Sequence, residues 1–184
     1  PRDSSTGTQI RRRAMLPNPD TVHRHRQAVM SVSDIVERIP HRHSMLLLDR
    51  IHALVPGSYA VASKAVTGTE WCYESDASET PNGYPIGLLL ESFNQTAALL
   101  THHGRPLDEG SVPTVSVLAS YTDVSIHDVV RPGDVMVHHA FVTSMFGDTE
   151  IFGGCTTVSG KSVLRVGQSV LARREPFTLT GYTE

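Results

Sequence analysis

Residues 85–100, PIGLLLESFNQTAALL, constrain the fold of this chain more than any other stretch. Leu88, Leu89, Leu90, Phe93, Ala97, Leu99 and Leu100 cover most of a helical circumference, so the segment reads as a helix buried on nearly every side. Pro85 stands where such a helix starts, and Gly104 followed by Pro106 where it stops. Within it lie one acid, Glu91, and one amide, Gln95, a turn later. A carboxylate in such surroundings is costly unless it is paired, exposed or used. Glu91, Asn94, Gln95 and His102 also fall on one helical stripe, as a solvent face would, so spacing alone leaves both readings open.

The flanking sequence supplies a layer to cover the helix. Ser31 and Ser33 are placed to cap a short helix that runs to Ile39 and stops at Pro40. The run 45–55 (MLLLDRIHALV) reads as a strand, Pro56-Gly57 as a turn, and 59–67 as the hairpin partner. Four further β-like runs, 112–126, 134–145, 149–160 and 162–174, are joined by VRPGD, FGD and SGKS, all turn chemistry that favours antiparallel neighbours. One long helix against a six-stranded, mainly antiparallel sheet is an α+β architecture. The loop 68–84 is long, acidic and rich in turn formers, as functional loops often are.

Charge divides the chain into a domain and tails. Residues 1–30 carry about +4 and the rest about −7, against −3 for the whole. We assign 1–30 to a basic flexible tail, 31–176 to the folded domain and 177–184 to a C-terminal tail. The tail lacks aromatic residues interleaved with its arginines, which argues against nucleic-acid binding. No apolar run is long enough to span a membrane, because Glu91, Asn94 and Gln95 interrupt the longest one. Cys72 and Cys155 lack metal-ligand spacing and read as reduced thiols of a cytoplasmic protein. No His/Asp/Glu spacing suggests a metal site.

Three segments together carry a resemblance. IPHRHSMLLLDRI (39–51), PIGLLLESFNQTAALL (85–100) and VVRPGDVM (129–136) resemble, in order, the PHR strand-opening segment, the E-x-x-x-Q helix and the V-x-PGD turn of the 3-hydroxyacyl-ACP dehydratases of the hotdog superfamily. The resemblance spans roughly 31–174. It implies a hotdog fold, a central helix wrapped by a curved sheet, working as a dimer with the active site between subunits. It places Glu91 at the catalytic acid and Gln95 at the following glutamine. Two departures stand out. The family's loop before the helix carries a histidine base, whereas 70–84 (EWCYESDASETPNGY) has none; Asp76 falls nearest that position, with Ser75 and Ala77 as neighbours. The family's basic segment before the PGD turn reads SIHDVV here, with His127 and Asp128.

Dehydrating a 3-hydroxyacyl thioester requires a base for the C2 proton, an acid for the C3 hydroxyl and polarisation of the thioester carbonyl. No cofactor is called for. The helix start supplies free N–H groups for the carbonyl, from Ile86 to Leu89. Glu91 serves as acid if burial keeps it neutral, and Asp76 is the candidate base. Tyr84, Ile86, Gly87, Leu88 and Gln95 are the expected substrate-binding positions. His41 and His43 are alternative bases, although the family's PHR histidine supports the fold, so packing or backbone bonding is expected for it. His138 and His139 alternate on a strand, so one faces inward. The substrate is an acyl thioester of a carrier protein or CoA, and the oligomer a homodimer or a heterodimer with a homologous chain. Two other functions compete: a half-site subunit whose partner donates the missing histidine, and a thioesterase in which Glu91 activates water.

Overall fold

The computed structural model describes residues 30–73, 83–102 and 115–174. The assigned tails therefore lie outside the described residues, apart from Met30. Met30 exchanges two backbone hydrogen bonds with Ile51, at 3.0 and 3.1 Å, so ordered pairing starts one residue before the expected domain boundary. Helix α1 (Val32–Val36) follows. Asp34 closes its start: the Ser31 backbone N–H and the Ser31 hydroxyl both donate to Asp34 Oδ2, at 2.7 and 2.9 Å. Strands β1 (Arg50–Val55) and β2 (Tyr59–Ala65) form the first hairpin. A short 3₁₀ turn, Trp71–Tyr73, precedes helix α2 (Ile86–His102). Strands β3 (Val115–Ile126), β4 (Val135–Phe146), β5 (Thr149–Val158) and β6 (Lys161–Arg174) complete the chain.

All six strands form one antiparallel sheet in the order β1-β2-β4-β5-β6-β3. The expectation that short links join neighbours fails once. The link 127–134 carries the chain from β3, at one edge beside β6, to β4, beside β2. Helix α2 packs on β2 and β4 and reaches β1 and β5. Strand periodicity selects the buried face: Ala60 and Ala62 on β2, Met136, His138 and Ala140 on β4, and Phe152 on β5 all meet the helix layer. Register shifts in β1, β3, β4, β5 and their partners mark bulges, which bend and twist a sheet.

The strand expected from Met45 begins only at Arg50. The reason is that the backbone of 45–47 bonds to helix side chains instead of a neighbouring strand. Leu47 N–H donates to Gln95 Oε1 (2.9 Å), Gln95 Nε2 donates to the Met45 carbonyl (2.7 Å), and Ser92 Oγ donates to the Leu47 carbonyl (2.8 Å). The PGD turn holds the start of the same helix. Asp134 Oδ2 accepts from Arg131 N–H at 2.8 Å, and the Val130 carbonyl accepts from Tyr84 N–H at 2.7 Å, one residue before Pro85.

Gly154 marks the closest approach of sheet and helix. A Cβ there would overlap the carbonyl oxygen of His139 on β4 and stand 2.8 Å from the Phe93 ring on α2. Backbone cannot yield as a side-chain tip can. Gly154→Ala is therefore expected to destabilise the fold by about 3 kcal/mol, measured as a lower urea midpoint with unchanged slope.

Candidate active site

Helix α2 carries a row of polar side chains into the interior. Gln95, Ser92 and Thr96 are fully buried and Asn94 nearly so, which rules out the solvent-face reading of the stripe. Each finds a partner, as burial demands. Ser169 Oγ donates to Asn94 Oδ1 at 2.8 Å, Tyr121 Oη on β3 donates to the Leu90 carbonyl at 3.2 Å, and Thr96 Oγ1 bonds back to the Ser92 carbonyl at 3.2 Å.

Glu91 alone in this row remains partly open, with 29% of its side chain accessible. Its Oε1 accepts from Gln95 Nε2 at 3.0 Å and lies 3.2 Å from Nε2 of His41. The PHR histidine, expected to serve packing or backbone bonding, instead faces the one carboxylate of the helix. Sequence carried a signal for this contact. Residues 45–47 belong to the same PHR segment, and docking them on Gln95 brings His41 to the preceding helical turn. His43 is exposed and makes no such contact.

Burial pushes the Glu91 pKa up, but the His41 and Gln95 hydrogen bonds outweigh it and hold the group below the ordinary carboxylate range. At neutral pH Glu91 is thus ionised, not the neutral acid that desolvation alone anticipates. Tyr121 is close by. Its pKa is raised by burial first and then by the Glu91 charge, so the phenol stays neutral.

The start of α2 is exposed at Pro85, Ile86 and Gly87, while Leu88 is half-buried. Leu88 and Leu89 N–H both donate to the Pro85 carbonyl at 3.0 Å. That leaves Ile86 and Gly87 as the helix-end donors among the four amides expected. Gly87 has no neighbour within 4 Å of where a Cβ would stand. Tyr84 is buried beneath this end, its hydroxyl unpartnered, with Lys64 Nζ 5.8 Å from its ring centre. Lys64 in turn pairs with Glu70 at 3.2 Å. Asp76, with Ser75 and Ala77, lies outside the described residues.

A second serine–histidine contact lies deeper and has a different character. His138 is fully buried; its Nε2 is 2.7 Å from Ser92 Oγ and its Nδ1 2.8 Å from Thr156 Oγ1. Ser92 spends its single proton on the Leu47 carbonyl, so it accepts from His138 Nε2–H, and Thr156 donates to Nδ1. The serine is therefore no activated nucleophile, and the triad ties helix to sheet. His139, the next residue, faces the other side, as strand alternation requires. Among the described residues no cluster of three or more His, Cys, Asp or Glu side chains is arranged to hold a metal, and no helix is long and apolar enough to cross a membrane.

A buried helix laid against a six-stranded antiparallel sheet, with one half-open carboxylate on it, is the arrangement of a hotdog protein. Comparison with known proteins agrees. The fold is similar to a chain of the dehydratase heterocomplex ApeI:P of Xenorhabdus doucetiae, with a TM-score of 0.62 at 15% identity, covering 79% of this chain and 93% of that one. It is also similar to a hot-dog-like protein of Thermanaerovibrio acidaminovorans, with a TM-score of 0.52 at 21% identity, covering 67% and 86%. No family model matches the chain. In sequence it is 31% identical over 132 residues to the 3-hydroxyacyl-acyl-carrier-protein dehydratase FabZ of Paramagnetospirillum magneticum, covering 72% of this chain and 80% of that protein. It is 32% identical over 148 residues to FabZ of an Anaeromyxobacter species, covering 80% and 93%. The chain belongs to the FabZ 3-hydroxyacyl-acyl-carrier-protein dehydratase family.

The buried triad gives the fold a defined acid sensitivity. Burial, with smaller effects from His139 and Lys64, pushes the His138 pKa down from 6.5 to about 3. The unfolded chain takes up a proton below 6.5 that the native state refuses. The stability is full above that value and is lost as pH falls toward 3, at about 1.4 kcal/mol per pH unit. Denaturant melts of wild type and His138→Gln between pH 7 and 5 are expected to differ in slope by this amount. His52 and His139, whose pKa values burial also lowers, are present in both proteins.

Proposed function

We propose that this chain removes water from 3-hydroxyacyl thioesters held on an acyl carrier protein, in fatty-acid or polyketide biosynthesis, with Glu91 as the proton-transfer group. One observation carries the reading: the only acid on the buried helix is ionised, oriented by two hydrogen bonds and still open at its edge. The names of the FabZ relatives support the reaction class. The Ile86 and Gly87 amides, at the positive end of α2, are positioned for the thioester oxygen, where developing negative charge is best stabilised. Tyr84 and Leu88 stand at this end, Gln95 supports Glu91, and Asp76 remains the sequence candidate for a second carboxylate.

The test is mass-spectrometric dehydration of a 3-hydroxyacyl carrier-protein thioester by the purified chain. Wild type is expected to give the enoyl thioester, and Glu91→Gln to lose at least about 10³-fold in rate. Free acid in place of enoyl product would move the assignment to a thioesterase. No turnover would favour the half-site subunit, a reading supported by the absence of histidine between Glu70 and Tyr84. Coenzyme A thioesters run alongside identify the carrier.

The second copy or homologous chain is proposed to pair along β3. That strand is 12 residues long, stands at the sheet edge, and exposes Leu118, Val124 and Ile126. A long apolar edge is a template for another strand. Sedimentation is expected to give twice the chain mass, and Val124→Lys with Ile126→Lys to shift it toward the single chain; an unchanged mass would place the contact elsewhere.

A further inference from the structure

Glu91 carries its hydrogen bonds on one oxygen. Oε1 receives Gln95 Nε2 and faces His41 Nε2, whereas Oε2 has no partner among the described residues. The imidazole is equally asymmetric. Nδ1 of His41 is buried without a hydrogen-bond partner. A proton on Nδ1 would be a buried unpaired donor, a cost that the neutral ring avoids by carrying its proton on Nε2. In that tautomer the ring donates to Glu91 and presents no acceptor to the open side. For His41 to take a proton from substrate through Nε2, the ring would have to place its other proton on Nδ1.

We propose, resting on the dehydratase reading above, that His41 is a positioning residue: as an Nε2–H donor it fixes Oε1 of Glu91, so that Oε2 performs both proton transfers. The steps balance with one group. Oε2 takes the C2 proton, and the C–H electron pair moves into the thioester as an enolate. The C3–O bond then breaks as the enolate collapses to the C2=C3 double bond. The departing hydroxide takes the proton back from Oε2 and leaves as water, and Glu91 is again a carboxylate. The histidine missing from loop 70–84 is then not needed, and neither is Asp76.

The surroundings fit a carboxylate with a single working oxygen. From its own helix Glu91 faces Gln95, from the PHR segment His41, and from β3 the neutral phenol of Tyr121, whose hydroxyl is committed to the Leu90 carbonyl. No lysine, arginine or second carboxylate stands against it among the described residues. Its lowered pKa, the product of the His41 and Gln95 bonds against burial, matches the ionisation state that the first step requires.

The test compares wild type with His41→Leu, which removes the donor, and His41→Gln, whose amide restores one. The first readout is the titration of the Glu91 carboxyl by carbon-13 NMR, assigned with Glu91→Gln; the second is the acid limb of kcat/KM for dehydration. His41→Leu is expected to raise both by about one pH unit and to lower kcat/KM about 10²-fold. His41→Gln is expected to recover most of each, and Asp76→Asn to leave both where they are. A Glu91 titration that is the same in all three proteins overturns the proposal, whatever the rates. So does a His41→Gln protein as inactive as His41→Leu while its Glu91 titration is normal, because the imidazole itself then exchanges protons with substrate. If the wild type shows no turnover but its Glu91 titration still depends on His41, the clamp stands and the single-chain dehydratase reading falls.

Discussion

The side chain of Gln95 is the interaction on which both fold and site depend. It is fully buried and makes three hydrogen bonds, two donated by Nε2 to the Met45 carbonyl and Glu91 Oε1, and one accepted by Oε1 from Leu47 N–H. Without it the backbone of 45–47 would lie against an apolar helix with its polar groups unpaired, a cost of about 1–3 kcal/mol for each group. The same amide fixes one oxygen of Glu91. The docking of the PHR segment and the orientation of the carboxylate are thus one event. His41 reaches Glu91 only because residues 45–47 are held where Gln95 holds them.

The remaining buried polar groups of α2 act in the same way, as fasteners with a fixed direction. Ser92 bridges the Leu47 carbonyl and His138, and Asn94 accepts from Ser169. Apolar packing is non-directional and would tolerate rotation of a helix that is greasy on every side. Hydrogen bonds to the PHR segment, to β4 and to β6 remove that freedom and leave Glu91 with an open edge. That is how a helix almost without polar surface presents a carboxylate in a defined pose.

Much of the architecture was legible in the sequence because it rests on local chemistry. The extent of α2, the hairpin turns and the six strands follow from periodicity, proline and glycine. The PGD turn is also local, although its role is not: Val130, beside it, bonds to Tyr84 and so sets where the central helix begins. What escaped was long-range. MLLLDRIHALV reads as strand from its first residue, yet its opening residues satisfy their backbone on a helix more than forty residues away. The stripe Glu91–Asn94–Gln95 has the spacing of a solvent face, and only its partners on other elements distinguish it from one. His41 was read as structural because its partner is brought to it by that same non-local docking. The expected roles of Asp76 and its loop neighbours concern positions outside the described residues, so sequence remains their only basis.

The geometry around Glu91 also narrows what the absence of a loop histidine can mean. Three sources of a base are open to a chain of this kind: a histidine of its own elsewhere, a carboxylate, or a group on another subunit. His138 is excluded by burial and by a hydrogen-bond direction that leaves no free lone pair. His41 lies at the right place, but its buried, unpartnered Nδ1 resists the proton that base catalysis through Nε2 would require. With neither of these two histidines suited, a carboxylate and a second chain are the readings carried forward. An ionised Glu91 with one oxygen committed and one open is suited to the first. His41 and Gln95 orient the carboxylate in either case, so its pose is built into this chain whether the site is self-sufficient or shared.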